Sequence, residues 1–326
     1  MAHHGRGNHG PRHSERVLST VESGQAAALS AVAASWCRSA LHHKLDPEAQ
    51  RRGERLAAGA ISSLRQANGE LLAAAEPTLD RLYRSVGAAG ACVIITDLDG
   101  VVLESRSADA DADFFDAVGL APGAAWSEQA EGTNGIGTCL VEARPVTILR
   151  DEHFASRNVG VSCMDAPIFD PQGRLVAALD VSTARADHAE AMAGMIAALV
   201  QDAARSIERD FFCRHYGQAR IVYAGGEQPG RGSALLAVDR DDLVIGATRA
   251  ARRVLGLAAD AKLAPRPLSE VMGQGPVTGF EDGERAVLRQ ALARCNGNVA
   301  AAARLLGIGR ATMYRRMERA GLSGLN

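Results

Sequence analysis

Residues 297–322, GNVAAAARLLGIGRATMYRRMERAGL, leave little choice of local fold. Val299, Ala302, Ala303 and Leu306 recur at helical spacing, so one face of the segment is apolar. Asn298 precedes them with a short polar side chain that can accept a free N–H of the first turn. Gly307 follows where a helix C-terminus favours positive φ, and Ile308 places an apolar side chain inside the turn. A second helix then carries Met313 and Met317 on its inner side, with Arg310, Thr312, Arg315, Arg316 and Arg319 around the rest. Two short helices joined by a three-residue turn make a helix-turn-helix, whose second helix fits the DNA major groove.

The charge distribution agrees. Between Arg285 and Asn326 stand eight arginines and one acid, Glu318, a net of +7. The chain as a whole is net −2, so residues 1–284 carry about −9. Positive charge gathered on one terminal module is the electrostatic footprint of DNA binding. A solvated basic face on a structural three-helix cap would not account for the turn, the spacing and the charge together. The segment resembles the Fis-type DNA-binding domain, in which a helix, here about Glu284–Cys295, precedes the pattern met by Gly297, Asn298, Ala302, Leu306, Gly307, Ile308, Arg310, Thr312, Tyr314 and Arg315. The resemblance implies DNA contacts from Asn298, Arg310, Thr312, Tyr314, Arg315, Arg316 and Arg319. Gly309 departs from the family, which usually places Ser or Asn there, and is a weaker cap for the recognition helix.

A length of 326 residues suits two or three domains. Hydrophobic residues make up 47% but aromatics only 4%, so the cores are aliphatic and alanine-rich. The six cysteines (37, 92, 139, 163, 213 and 295) form no CxxC pair. With no secretory signal and no apolar run near 18 residues, a cytoplasmic protein with free thiols and no membrane partner is expected. Residues 1–13 are rich in His and Gly and read as a disordered tail. Ser14 to about Gln66 is helical in pattern, with Asp46-Pro47 breaking the run and starting a new helix, and Trp36 reads as a buried packing residue.

From Leu71 the pattern turns mixed. A helix over 71–86 leads to a strand at Ala91–Thr96, a turn at Asp97–Gly100 and a returning strand at Val101–Glu104. Pro145–Leu149 is another strand, and Ala166–Phe169 with Arg174–Val181 forms a second hairpin around DPQG. A long helix from Asp187 to about Tyr216 carries Met192, Ile196, Leu199, Ala203, Ile207 and Phe211 at intervals of three and four, which reads as a packing seam, with a parallel dimer as one use for it at this length. The stretch SALLAVDRDDLVIGATRAARRVLGL then reads strand, turn, strand, helix.

Residues 70–205 resemble a GAF domain, an antiparallel sheet with flanking helices and a small-molecule pocket. The likeness rests on Trp126–Leu140 (WSEQAEGTNGIGTCL), Arg150–Phe154 (RDEHF) and Ser162–Leu175 (SCMDAPIFDPQGRL). With SWCRSALHHKLDP at Ser35–Pro47, these resemble the acetoin-catabolism-regulator branch of bacterial sigma-54-dependent activators, over roughly 14–322. The region after Gln218 resembles the opening of a PAS module, with Asp242 where a turn glycine is usual. The expected class is α+β: a helical region at 14–69, a GAF-like sensor at 70–205, a connecting helix and partial PAS-like module at 206–280, and the Fis-type domain at 281–326. Full-length members of that branch carry a central ATPase. Here Gly225–Ser233 (GGEQPGRGS) lacks the Lys-Ser/Thr of a phosphate loop, and Gly275–Phe280 only echoes the sigma-54-contacting loop, so ATP-driven remodelling is not expected.

Glu131, Thr133 and Asn134, among glycines 132, 135 and 137, form a polar, tightly turning loop that could meet a ligand, as could Trp126. Cys139, His153 and Cys163 are metal- and redox-competent residue types, but separations of 14 and 10 match no zinc site, and each reads more simply as a core residue. No metal, cofactor or catalytic residue is expected. The sequence therefore points to a non-enzymatic bacterial regulator. It would bind double-stranded DNA as a homodimer and answer to a small-molecule or redox effector, with RNA polymerase as a candidate partner. A thiol-dependent GAF enzyme and an effector-free, Fis-like architectural protein are the alternatives.

Overall fold

A computed structural model describes residues 12–23, 25–50, 55–87, 90–184, 190–225, 232–258, 263–273 and 279–322. Residues 1–11 of the expected tail, most of the Gly225–Ser233 loop and residues 274–278 lie outside the described residues, whereas His13 already belongs to the first helix. The chain forms two compact units, one of residues 1–241 and 245–264, the other of 242–244 and 265–326.

In the first unit, β1 (Ala91–Thr96), β2 (Val102–Arg106), β3 (Val146–Leu149), β4 (Ser162–Phe169) and β5 (Leu175–Thr183) form one antiparallel sheet in the order β2-β1-β5-β4-β3. Both hairpin turns use one device. Asp97 Oδ1 accepts the N–H groups of Asp99 and Val101, and Asp170 Oδ1 those of Gln172 and Arg174, so the carboxylate closes the turn. Side chains alternate across a strand. Val93, Ile95, Met164, Ala166, Ile168, Leu179 and Val181 point to one face, covered by α5 (Gly69–Val86) and α9 (Glu190–His215). Cys92, Ile94 and Ala178 point to the other, where Trp126, Ile136 and Cys139 cover them. The helices on that side are α6 (Asp109–Ala117), α7 (Glu128–Glu131) and α8 (Gly135–Glu142).

The N-terminal helices α1 (His13–Glu22), α2 (Ala26–Leu29), α3 (Ala31–Cys37) and α4 (Ala58–Ala67) belong to the same unit, with a π-turn at Arg38–His42. Trp36 is buried, as its pattern implied, and its Nε1 donates to Glu152 O at 2.8 Å. Asp46-Pro47 does not open a helix. Asp46 Oδ1 accepts Glu48 N–H in a local turn, and Pro47 O accepts Ser156 N–H at 2.8 Å, so the segment is fixed by the body of the domain. Beyond α9, β6 (Arg220–Tyr223) pairs with β7 (Leu235–Val238), and β8 (Leu243–Ala247) leads into α10 (Arg249–Val254). Asp242, in place of the turn glycine, takes φ +63°.

The second unit pairs β9 (Arg266–Pro267) with Leu243 and Val244, followed by α11 (Leu268–Val271), α12 (Phe280–Arg294), α13 (Val299–Leu305) and α14 (Arg310–Arg319). Leu288, Leu292, Val299, Ala302, Ala303, Met313, Met317 and Leu322 form its core.

The buried part of the α9 stripe is a packing seam within the chain, not a contact with a second one. Ile196, Ala203 and Ile207 are buried within the chain, against the sheet and α5, because the strand face facing them is wholly apolar. Met192, Met195 and Leu199 lie on the exposed flank of α9, beside that buried face. Ile196→Asp is therefore expected to destabilise the chain by more than ~3 kcal/mol, since it buries an unpaired charge. Met195→Asp is expected to stay within ~1 kcal/mol of the parent. Chemical denaturation of the two variants checks both, and equal effects would place α9 the other way round.

Candidate functional site

The α8 face of the sheet is not purely hydrophobic. The β4–β5 register sets Cys163 opposite Ser182 and Asp165 opposite Asp180, all four on this face and all buried. His153 arrives from the β3–β4 connection. Its Nδ1 lies 2.9 Å from Arg150 O, which assigns the proton to Nδ1 and leaves Nε2 as acceptor, 3.5 Å from Cys163 Sγ. Cys163 Sγ lies 3.1 Å from Ser182 Oγ, and Ser182 donates to Asp180 Oδ2 at 2.7 Å. The chain of contacts ends on Asp165. Gly135, the first residue of α8, lies directly over this carboxylate, and any β-carbon there would overlap Asp165 Oδ2 and crowd Cys163.

Burial determines the protonation states. Desolvation holds His153 neutral, lowering it to about 4. Desolvation, reinforced by Asp180 and Asp165, pushes the Cys163 thiol well above its ordinary value, and burial does the same for Cys139. Burial raises both carboxyls: Asp165 well above its ordinary value, reinforced by the facing Asp180, and Asp180 to about 7 against the bonds from Ser182 and Asp165. Asp165 Oδ1 and Oδ2 and Asp180 Oδ1 have no geometric hydrogen-bond partner among the described residues. A proton held between the carboxyls relieves that deficit and the like-charge repulsion. A protonated thiol beside a neutral imidazole is a poor nucleophile. Among the described residues no group of three or more His, Cys, Asp or Glu is arranged to hold a metal ion.

The other expected ligand contacts are built into the domain. Asn134 caps α8, accepting Gly137 N–H at 2.8 Å, and donates to Gly132 O. Thr133 Oγ1 lies 2.7 Å from Ser35 Oγ of α3, and Glu131 accepts from Arg157 at 2.8 Å and Asn158 at 2.9 Å. Trp126 Nε1 donates to Gly119 O at 2.7 Å. Trp126 and Glu131 nevertheless border a cavity of about 230 Å³ with Arg55 and Asp116. The loop is thus drawn together with the N-terminal helices, where Arg38 forks onto buried Glu128 with two bonds of 2.9 Å. Asp165, Asp180 and Ser182 were missed as site residues. Their signal was present as single acids inside apolar strand runs, SCMDAPIF and LVAALDVST.

In the second unit, Asn298 caps α13 by accepting Ala301 N–H at 3.0 Å, and Gly307 takes φ +66° in the turn. Gly309 offers no side-chain cap to α14. Met313 and Met317 are buried. At about 100° per residue, Arg315 lies about 180° and Arg319 about 140° from the middle of that buried stripe, and both are exposed. Arg310 is stacked towards Tyr314, 5.7 Å from the ring centroid, at the start of α14, and Thr312 is half-buried. Arg316 stands apart from this group, because it turns back to pair with Glu284 of α12 at 3.1 Å.

The shared proton gives a pH signature. Unfolded carboxyls lose their protons near pH 4, whereas folded Asp180 keeps its proton up to about 7 and Asp165 is raised well above its ordinary value, so stability falls as pH rises from about 4 to about 7. Asp180→Asn leaves Ser182 an acceptor and removes the repulsion. Denaturation at several pH values is expected to show the decline flattened by up to ~1.4 kcal/mol per pH unit. An unchanged decline would place the titration elsewhere.

Comparison with known proteins follows the same division. Residues 8–209 match the family described as MimR, N-terminal domain, and residues 279–319 match Bacterial regulatory protein, Fis family. The acetoin catabolism regulatory protein of Cupriavidus necator is 29% identical over 76% of this chain and 37% of its own length. The propane 2-monooxygenase operon transcriptional activator MimR of Mycolicibacterium smegmatis is 34% identical over 39% of this chain and 22% of its own. The acetoin dehydrogenase operon transcriptional activator AcoR of Bacillus subtilis is 31% identical over 42% and 22%. This chain thus spans well under half the length of these relatives. A chain of the crystal structure of the E. coli DhaR(N)-DhaL complex shares the fold, with TM-score 0.51 and 17% identity, over 74% of this chain and 81% of that one. The N-terminal match takes in more than half of the residues, and the chain belongs to the MimR N-terminal-domain family, carrying a Fis-family regulatory segment at its other end.

Proposed function

We propose that this chain is a transcriptional regulator, not an enzyme, that binds double-stranded DNA through α14 and responds to a small molecule in its GAF-like unit. The observation that carries the reading is the placing of Arg315 and Arg319 on α14 away from the buried methionine stripe, in a segment, Arg285–Asn326, of net +7. Exposed cations on a helix held by a three-helix core are the means by which such a module meets phosphates and base edges. Relatives named as regulators and activators of transcription support it. A thiol-dependent reaction is disfavoured, because burial keeps Cys163 and Cys139 protonated. The sequence has no Lys-Ser/Thr phosphate loop, so ATP hydrolysis by this chain is not part of the reading.

The effector site is placed at the cavity bordered by Trp126, Glu131, Arg55 and Asp116, beside the loop that joins the sheet to the N-terminal helices. A homodimer fits the need of one short recognition helix for a second half-site. The exposed Met192, Met195 and Leu199 of α9 are its proposed seam. RNA polymerase is the partner such a regulator would act on at a promoter.

Two measurements test this. Titration of a mixed-sequence 30-base-pair duplex at several salt concentrations is expected to show salt-dependent binding. Replacing both Arg315 and Arg319 with Ala is expected to weaken it and reduce the slope of log K against log salt by ~1–2. Unchanged affinity and slope would remove α14 as the DNA-contacting element. Sedimentation at micromolar concentration is expected to show a dimer that Met195→Asp shifts towards monomer. A parent chain that is monomeric and binds a single half-site tightly would overturn the dimer.

A further inference from the structure

A cavity of about 270 Å³ in the first unit lies on the far side of the sheet from the polar chain, between α9, the β4–β5 turn and α10. Five guanidinium groups line it: Arg144, Arg205, Arg209, Arg249 and Arg253. Three have acidic partners outside the cavity lining. Arg144 pairs with Glu142, Arg205 with Asp202 at 3.2 Å, and Arg209 with Asp210 at 2.9 Å. Arg249 and Arg253 make no ion pair among the described residues. Phe169 holds Arg249 in position, its guanidinium carbon 3.9 Å from the ring centroid.

Two carboxyls line the cavity. Asp170 is already committed, accepting Gln172 N–H at 2.8 Å, Arg174 N–H at 2.9 Å and the Arg174 guanidinium at 2.8 Å. Glu208 accepts only Phe169 N–H, at 3.1 Å, and has no cation within ion-pair distance among the described residues. Phe169, Phe212 and Pro167 supply apolar wall. Basic groups outnumber available acids, and two of the cations, beside an apolar surface, make no ion pair among the described residues. We propose that this cavity binds a small organic anion of charge −2 or −3 with a short apolar body, either a phosphate ester or a polycarboxylate. Its volume lies just below the usual range of small-molecule sites, roughly 300 Å³ and upward, which favours a small ligand. The anion would join α9 to α10, and so the sheet domain to the smaller β-module that follows it.

Glu208 makes the site sensitive to pH. Burial pushes its carboxyl up to about 7, against the Phe169 N–H and the charges of Arg249 and Arg205. The groups facing it are Arg205 and Arg209 of its own helix, Arg249 and Arg253 of α10, Arg144 before β3, and Asp170 of the hairpin turn; no histidine lines the cavity. Below about pH 7 the protonated carboxyl donates to an anion, and above it the carboxylate repels one.

Calorimetric titration of the full chain tests the proposal. The probes are phenyl phosphate, citrate, and benzene-1,3-disulfonate, whose charge does not change over the range. Saturable binding of one equivalent per chain is expected for at least one of the first two, and which one binds decides between ester and polycarboxylate. Benzene-1,3-disulfonate is expected to bind about tenfold tighter at about pH 6.5 than at about pH 8.5, because Glu208 loses its proton between them. Glu208→Gln is expected to keep binding and abolish that difference. Arg249→Gln or Arg253→Gln, both at exposed positions, is expected to weaken binding by tenfold or more, while Arg315→Gln leaves it unchanged. No saturable binding of any probe up to ~10 mM, or binding indifferent to both cavity variants, would overturn the assignment.

Discussion

The pairing register of β4 against β5 is the constraint on which the first unit depends. It sets Met164 opposite Val181 and Ala166 opposite Leu179 on the face that α5 and α9 cover, and Cys163 opposite Ser182 and Asp165 opposite Asp180 on the face beneath α8. A slip of one residue would turn one strand over against the other, sending its aspartate into the aliphatic core and its apolar side chains towards α8. Two buried, facing carboxyls are expensive in the native register, since one must hold a proton near neutral pH. The displaced one would be more so against α5 and α9, where no Ser182 or His153 chain could receive it. The pair therefore costs stability while excluding the alternative pairing.

Much of this was legible in the sequence, for identifiable reasons. The helix-turn-helix could be read because its cap, its period and its positive-φ glycine are all local. Asn298 and Gly307 act through residues within a few positions of themselves. The hairpin turns were visible for the same reason, through Asp97 and Asp170. What periodicity cannot supply is the identity of the covering surface. The α9 stripe was correctly apolar, but Ile196 and Ile207 face their own sheet, not a second chain. Similarly, Arg316 lies on the same short helix as Arg315 yet answers to Glu284, thirty-two residues earlier.

The candidate sites were legible only in part, because chemistry-bearing side chains meet through tertiary pairing. Cys163 and His153 stood out by residue type, and the structure does bring them together, 3.5 Å apart. The residues that set their protonation, Asp165 and Asp180, could be identified only once the strand register was known. The arginine-lined cavity is more dispersed still. Its members come from the α8–β3 turn, α9 and α10, and no motif links Arg144 to Arg253. The polar loop after Trp126 was read as open to a ligand, but most of its hydrogen bonds are directed inward to α3, α8 and Arg157.

The central claim is that α14 reads DNA from a two-fold assembly. Selection of bound sequences from a random duplex pool by the full chain tests it most directly. Enrichment of an inverted repeat is expected, with half-sites one helical turn apart, roughly 10–10.5 base pairs, and with its preference at one position in each half-site lost when Arg315 is replaced. A pool that stays random, or a preference that survives replacement of Arg315, Arg310 and Arg319 together, would contradict it.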